Sequence, residues 1–366
     1  MRIGITYDLK TDGPIPAGLP DDFQEEFDSP ATIEAIAEVL RGLGHTVEKL
    51  GDGRPLLERL LADPPDFVFN FAEGQGIGRS REARVPAVLE MLGIPYTGSD
   101  PLTLAVTLDK DCAKRLVASA GIAVPAGVVI GAEEWQMANW KNHALEQGAR
   151  PPASSSSMDH LPFAVCHLQF PLIAKPAWEG SSKGIRSKCL IDRPEDLPEV
   201  VASLRRDHRQ PILLEEFIPG DEITVGILGN RPPQVIGVMR VVPRSPNGRF
   251  VYSLEVKRDW RRQVRYECPP SSCSPDTLAR IESAALEVYQ RLGCRDVARI
   301  DFRLADEGLY FLEANPLPGL NPESSDLVIM ARLAGWSYPR LIGSILAAAL
   351  ERTTSDFRSR NDPCAF

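Results

Sequence analysis

Strand-like and helix-like runs alternate from the amino terminus, and this alternation constrains the fold more than any other feature. "RIGITYD" (2–8) is short, apolar and rich in β-formers, the pattern of a buried strand. A Pro/Gly/Asp-rich loop follows as far as Ser29. "SPATIEAIAEVLRGLG" then supplies a Ser N-cap, a Pro at the first helical position and a Gly at the stop. "HTVEKL" and "DFVFNF" (66–71) read as further strands, and "REARVPAVLEMLG" as a helix. Strand alternating with helix predicts a parallel α/β unit, here ending near Gly98.

The pattern then changes. Leu102 to Gly121 reads as helical. "PLIAKP" (171–176), "PILLEEFI" (211–218), "EITVGIL" (222–228) and "QVIGVMRVV" (234–242) read as strands. "TLARIESAALEVYQRLG" (277–293) is an amphipathic helix, and a helical stretch is expected from about Asp326 to Leu350. The closing "RTTSDFRSRNDPCAF" reads as frayed and solvated. Residues 131–168 contain the Pro/Ser-rich "EQGARPPASSSSMDH", expected as a loop or insertion.

At 366 residues the chain exceeds one ordinary core and predicts two or three domains. A net charge of −9 argues against a nucleic-acid partner, which needs a basic face. Apolar runs such as "LIGSILAAAL" reach only about half of a bilayer span, so no membrane partner is expected. The amino terminus reads as a strand and not as a secretory signal. The seven cysteines are scattered with no CxxC pair, which suits reduced thiols in the cytoplasm.

The segment "ARIDFRLADEGLYFLEANPLPG" (298–319) carries the chemistry. If Asp306-Glu307-Gly308 forms a three-residue hairpin loop with Gly308 left-handed, Ile300 pairs with Ala314, Phe302 with Leu312 and Leu304 with Tyr310. Those residues make one apolar face. Asp301 then opposes Glu313, and Arg299 opposes Asn315, on the other. Two carboxylates directly opposite repel, and a divalent cation between them removes that cost. Asp, Glu and Asn oxygens suit Mg²⁺. A solvated face neutralised by Arg299 and Arg303 fits this segment equally well, so its neighbours decide.

"AKPAWEGSSKG" (174–184) ends a strand on Lys175 and continues into a small, donor-rich loop able to form an anion nest. It is not a Walker A sequence. "LLEEFIPGDE" (213–222) brackets a Pro-Gly turn with Glu215 and Glu222. It fits either an exposed hairpin or an adenosine site, with strand backbone on the adenine edge and Glu222 on the ribose. Lys257 in "LEVKRDW" and Lys110 in "TLDKDCAK" are each, alone, ordinary surface lysines.

In order, these segments resemble the ATP-grasp ligases, and among them the D-alanine–D-alanine ligase group. The resemblance runs through "LGIPYTGSDPLTLAVTLDK" (92–110), "PLIAKPAWEGSSKG", "LLEEFIPGDEITVGIL", "LEVK", "RLGCRDVARIDF" and "FLEANPLPGLNPESS". It implies an α/β chain, α+β in its ATP-grasp part. A Rossmann-like pre-ATP-grasp domain would span 1–98 and a central lid 99–215, interrupted near 131–168. A metal- and substrate-bearing unit would span 216–352, with a tail at 353–366. It implies ATP and two Mg²⁺ ions, with Mn²⁺ a substitute, small amino-acid-like substrates and a homodimer.

The resemblance also assigns roles. Lys110 and Lys175 would hold ATP phosphates, with Glu179, Ser181 and Ser182 in a loop covering them. Glu215 and the backbones of Phe217 and Ile218 would bind adenine, Glu222 the ribose, and Lys257 the γ-phosphate. Asp301, Glu313 and Asn315 would hold the metal ions. Arg299 and the Gly319 backbone would stabilise an oxyanion, with Ser181 beside them, and Ser324 would touch the second substrate. The implied reaction is ATP-dependent amide formation between a carboxylate and an amine through an acyl phosphate. A larger peptide acceptor, or a silent nucleotide-binding regulator, are the rival readings.

The chain departs from the group at its substrate end. The usual first loop is replaced by "KTDGPIPAGLPDDFQEEFDS", where Glu25 falls in the amine-binding position. "FNFAEGQGIGRSREARVP" (69–86) lacks the group's His. Arg258 replaces an aromatic, and "RDWRRQVR" makes that loop basic, which would suit a substrate more negative than D-alanine. The substrates therefore need not be two D-alanines.

Overall fold

The computed structural model describes residues 1–11, 13–16, 18–131, 165, 167–245 and 249–360. Most of the expected insertion at 131–168 lies outside the described residues.

The amino-terminal part is parallel α/β, with strands β1 (Arg2–Tyr7), β2 (Thr46–Gly51) and β3 (Phe67–Phe71) in the order β2-β1-β3. Helices α1 (Pro30–Gly42), α2 (Gly53–Ala62) and α3 (Arg84–Leu92) accompany them. The Ser29 hydroxyl accepts from the Thr32 N–H and Pro30 opens α1, as the sequence predicts. Gly93, at φ 67°, ends α3 in a left-handed cap.

The expected helical stretch after Gly98 is two helices, α4 (Pro101–Leu108) and α5 (Lys110–Ser119), broken at Asp109. Asp109 leaves α4 extended and caps α5 by accepting the Cys112 N–H, so Lys110 becomes the first residue of α5. An antiparallel sheet follows in the order β4 (Gly127–Ile130), β7 (Ile212–Glu216), β5 (Leu172–Pro176), β6 (Leu190–Ile191). Helix α6 (Leu197–His208) packs on it.

The third sheet is antiparallel, in the order β10 (Val264–Glu267), β9 (Gln234–Pro243), β8 (Asp221–Leu228), β11 (Val297–Ala305), β12 (Gly308–Asn315). Two short helices, α7 (Leu254–Arg258) and α8 (Trp260–Gln263), precede β10, and α9 (Pro275–Arg291) covers the core face. The final stretch is α10 (Asp326–Leu333) and α11 (Tyr338–Arg360). The frayed tail expected from Arg352 is thus corrected as far as Arg360. Arg352 is anchored there by an ion pair to Asp296 at 2.8 Å and a bond to the Tyr96 carbonyl. One core joins the first sheet and α1 to α10 and α11 through Ile36, Leu40, Phe69, Leu327, Ile342 and Ile345. That packing brings the amino-terminal loops over the third sheet. Among the described residues no helix is long and apolar enough to cross a membrane.

Candidate active site

The β11–β12 hairpin keeps the expected pairs where the chemistry lies. Arg299 opposes Asn315, Ile300 opposes Ala314 and Asp301 opposes Glu313. Toward the turn the expectation fails. A bulge follows Asp301, so Phe302 pairs with Phe311, Arg303 with Tyr310, Leu304 with Leu309 and Ala305 with Gly308. The turn is the two residues Asp306-Glu307, Gly308 belongs to β12, and Leu312 is the extra residue. The apolar face survives through a Phe302–Phe311 edge contact at 6.1 Å, and Leu312 joins Glu313 on the cavity side.

Arg299 bonds Asp301 at 2.8 Å and lies 3.5 Å from Asp326 and 3.8 Å from Glu313. Asn315 donates to Asp301 at 3.2 Å. Burial, joined by the charge of Glu313, raises the Asp301 carboxyl above its usual range against the pull of Arg299. Burial also opposes ionisation of Glu313, but Lys110, Arg299, Lys175 and Lys257 outweigh it and hold this carboxyl far below its usual range. Lys110 reaches Glu313 at 2.9 Å from the start of α5 and also donates to the Glu179 carbonyl.

A cavity of about 710 Å³ lies between the second and third sheets. Lys175, Ser182, Phe217, Ile218, Glu222 and Lys257 line it, as do Leu312 and both hairpin carboxylates, Asp301 and Glu313. Glu222 pairs with Arg303 at 3.1 Å, and burial raises its carboxyl. Lys257 sits 5.0 Å over the Tyr252 ring. On the adenine side, Glu215 lines this cavity, 1% exposed and held between Lys175 and Lys114, the latter at 3.0 Å. The Phe217 N–H is taken by the Pro171 carbonyl, so of its backbone groups only the carbonyl can serve a base edge.

Sequence reasoning missed Lys114, although its signal was present: it follows Lys110 by one helical turn, on the same face of α5. Burial, reinforced by Lys175, lowers its ammonium to about 8 despite Glu215. Replacing Lys114 with Met is expected to raise the KM for ATP about tenfold with kcat little changed, because Glu215 and Lys175 lose their common brace. Steady-state kinetics at varied ATP checks this, and an unchanged KM would refute it.

The loop after β5 borders the cavity that Lys110 and Glu313 also line, and Glu179 is among its lining residues. Its side chain is buried, accepting from Gln210 at 2.6 Å and pairing with Lys183 at 2.9 Å and Arg81 at 3.3 Å. Ser181 and Ser182 adopt φ of 49° and 57°, left-handed values uncommon for serine. Ser182 donates to the Tyr252 carbonyl, and Ser181 lines two further cavities. The amino-terminal loop clasps this segment. Glu26 accepts from Arg81 and from the Gly180 N–H, and Asp22 accepts from the Gly184 N–H at 2.8 Å. Arg81, 1% exposed, also donates to the Trp178 carbonyl at 2.6 Å.

Those two cavities complete the site. One, of about 520 Å³, is lined by Lys110, Ser181, Arg299, Glu313, Asn315 and Gly319. The other, of about 960 Å³, opens between the amino-terminal loop and α10 and is lined by Lys257, Trp260, Arg299, Gly319 and Ser324. Arg299 borders all three cavities. A Cβ on Gly319 would meet the Ser325 hydroxyl at 2.8 Å, so a side chain there displaces that hydroxyl. Ser324 is exposed and bonds Asn321 at 3.0 Å.

On the substrate side, Glu25 lines the 960 Å³ cavity. Arg258 grips Glu25 at 2.7 Å and Asp21 at 2.8 Å, so Glu25 and Arg258 latch the loops together. In the basic loop Arg261 pairs with Glu323 and Arg265 with Glu267. Tyr252 and Asp326 were also missed. Tyr252 bonds Tyr266 at 2.7 Å and Asp326 at 3.1 Å, and so anchors Asp326 near Arg299.

Among the described residues no group of three His, Cys, Asp or Glu side chains is set to hold a metal. The hairpin offers two carboxylates and one amide. That donor set fits Mg²⁺: its oxygens are hard, Asp301 and Glu313 oppose one another, and both border the 710 Å³ cavity.

A parallel α/β unit followed by two antiparallel sheets, enclosing a lysine-lined cavity that ends on paired carboxylates, defines an ATP-grasp ligase. Residues 116–347 match the family model described as D-ala D-ala ligase C-terminus. The chain is 31% identical over 317 residues to the D-alanine–D-alanine ligase of Aquifex aeolicus (strain VF5), covering 86% of this chain and 93% of the relative. It superposes on the Bacillus anthracis D-alanine–D-alanine ligase complexed with ATP at TM-score 0.67, with 20% identity over 97% of this chain and 99% of that one. It superposes on the VanG D-Ala:D-Ser ligase of Enterococcus faecalis at 0.65, with 20% identity over 95% and 99%. The chain belongs to the D-alanine–D-alanine ligase family. It is an ATP-dependent ligase that joins small amino-acid substrates through a carbon–nitrogen bond.

Proposed function

We propose that the enzyme activates the carboxylate of one amino acid as an acyl phosphate and passes it to the amino group of a second. The meeting of three cavities at Arg299 carries this reading, because it brings a lysine-lined space, the Gly319 backbone and the space beside Ser324 to one guanidinium.

ATP would lie in the 710 Å³ cavity with its phosphates toward Lys175, Lys110 and Lys257. A substrate carboxylate oxygen bonds to the γ-phosphorus as the bond to ADP breaks. The second substrate's amine then attacks the acyl carbon, the phosphate leaves with the bonding pair, and the amine proton passes to solvent. Arg299 and the Gly319 N–H would hold the negative oxygen that forms in between. Asp301, Glu313 and Asn315 would hold two Mg²⁺ ions, or Mn²⁺ in their place, which when bound neutralise phosphate charge. The clasp between the amino-terminal loop and residues 179–184 would keep water from the acyl phosphate.

The relatives' names make D-alanine the first substrate to assay, with other D- and L-amino acids singly and in pairs. Phosphate release with ATP and Mg²⁺ should require an amino acid and yield a product of two residues less water. Absence of release across such a panel would sink the reading. The five free thiols among the described residues support a cytoplasmic setting, and the resemblance supports a homodimer, checked by light scattering.

A further inference from the structure

The 960 Å³ cavity is lined by five carboxylates, Glu25, Glu26, Asp28, Glu73 and Asp326. Four of them have partners. Glu25 is held by Arg258 and Glu26 by Arg81, each at 2.7 Å. Asp326 accepts from Tyr252 and faces Arg299. Asp28 has Thr32 as a hydrogen-bond partner and Lys10 as its opposing charge. Glu73 alone makes no hydrogen bond or ion pair with the described residues. It also lines the 520 Å³ cavity and therefore stands where the two spaces join, together with Ser181, Arg299 and Gly319.

The backbone holds Glu73 in place. It follows β3 by two residues, and the next N–H, of Gly74, donates to Asp8 at 2.9 Å. Gly74 takes φ +77° with the Arg81 carbonyl only 2.5 Å from where a Cβ would be, so this turn is closed to other residues. A partly buried carboxylate with no cation in contact is costly, and a ligand cation relieves it.

We infer that Glu73 binds the ammonium group of the amino acid whose carboxylate is activated, orienting that carboxylate toward Arg299 and the phosphate-side lysines. This rests on the reading under Proposed function and replaces Glu25 in the role that the resemblance implied for it. The electrostatics agree. Burial and the charges of Glu82 and Glu26 hold the Glu73 carboxyl well above its usual range against Arg81, and an ammonium brought alongside favours its ionised form. An ammonium–carboxylate contact fixed beside the reacting centre also supplies binding energy that orients the distant carboxylate.

The test compares wild type with Glu73→Gln and Glu73→Asp, using D-alanine and D-lactate as alternative carboxylate donors in ATP-dependent phosphate release. D-lactate puts a hydroxyl where the ammonium stands. Wild type should prefer D-alanine strongly. Glu73→Gln should raise the KM for D-alanine about 30-fold and cut its preference over D-lactate by a similar factor. Glu73→Asp should keep part of both, and the KM for ATP should stay within about twofold throughout. A variant that merely loosened the fold would weaken both donors alike. If wild type uses D-alanine and Glu73→Gln keeps its KM and preference, this inference alone is overturned. If D-alanine is not used, the same comparison is made with the amino acid of the panel that is used and its 2-hydroxy acid counterpart; if wild type releases no phosphate with any amino acid of the panel, the underlying reading falls, and this inference with it.

Discussion

Glu313→Gln is expected to reduce ATP-dependent phosphate release by about a thousandfold, the scale seen when a preorganised electrostatic partner of the transferring group is removed. Glu313 faces Asp301 across the hairpin, pairs with Lys110 at 2.9 Å, and borders both the nucleotide-side cavity and the one beneath Gly319. The glutamine has the same shape, so the hairpin stays intact. What goes is the negative charge that balances Lys110 and that a divalent cation needs. Rates at rising Mg²⁺ concentrations make the measurement decisive. A kcat within tenfold of wild type would show that Glu313 is not at the reacting centre.

Arg81→Met should have the largest effect on stability, about 3–5 kcal/mol, because it removes one side of a buried ion network. Arg81 is the cation between Glu26 at 2.7 Å and Glu179 at 3.3 Å, and only Lys183 remains to offset both. Thermal melting at pH 7 should fall by on the order of 5–10 °C. The pH dependence carries the same signature. Burial opposes ionisation of Glu26, but Arg81 and Lys183 pull its carboxyl to about 2 from an ordinary 4.5. A depressed carboxyl contributes stability above its unfolded value and loses it as pH falls through the folded one. Wild type should therefore lose this contribution between about pH 4.5 and 2. The variant should show a shallower loss there, and equal slopes would contradict the assignment.

Much of the fold was legible because local signals agreed. Ser29-Pro30 fixed the start of α1, and the apolar alternation of Ile300, Ala314 and Phe302 set the buried face of the hairpin. The bulge was not legible. Leu312 and Phe311 are equally apolar partners for Phe302, so pattern alone could not choose between a two-residue and a three-residue turn. The polar run after Leu350 hid a continuing helix, since its anchor is Arg352 on Asp296, far away in sequence. The same distance explains the substrate side. Arg258 looked like a free charge because Asp21 and Glu25, its partners, lie more than two hundred residues earlier in a loop with no periodic signal. Lys110 and Lys175 were easier to place, the one at the start of a helix and the other near the end of a strand that local sequence defines.

The bulge at Leu312 also divides the hairpin into two independently seated halves. The inner half, Arg299–Asp301 against Glu313–Asn315, is fastened by Arg299 and Lys110, and the outer half by the Phe302–Phe311 contact. Asp306 and Glu307 at the tip are exposed and touch neither cavity. A peptide tag spliced between Asp306 and Glu307 is expected to leave phosphate release unchanged, which makes the hairpin end the place to graft one onto this ligase.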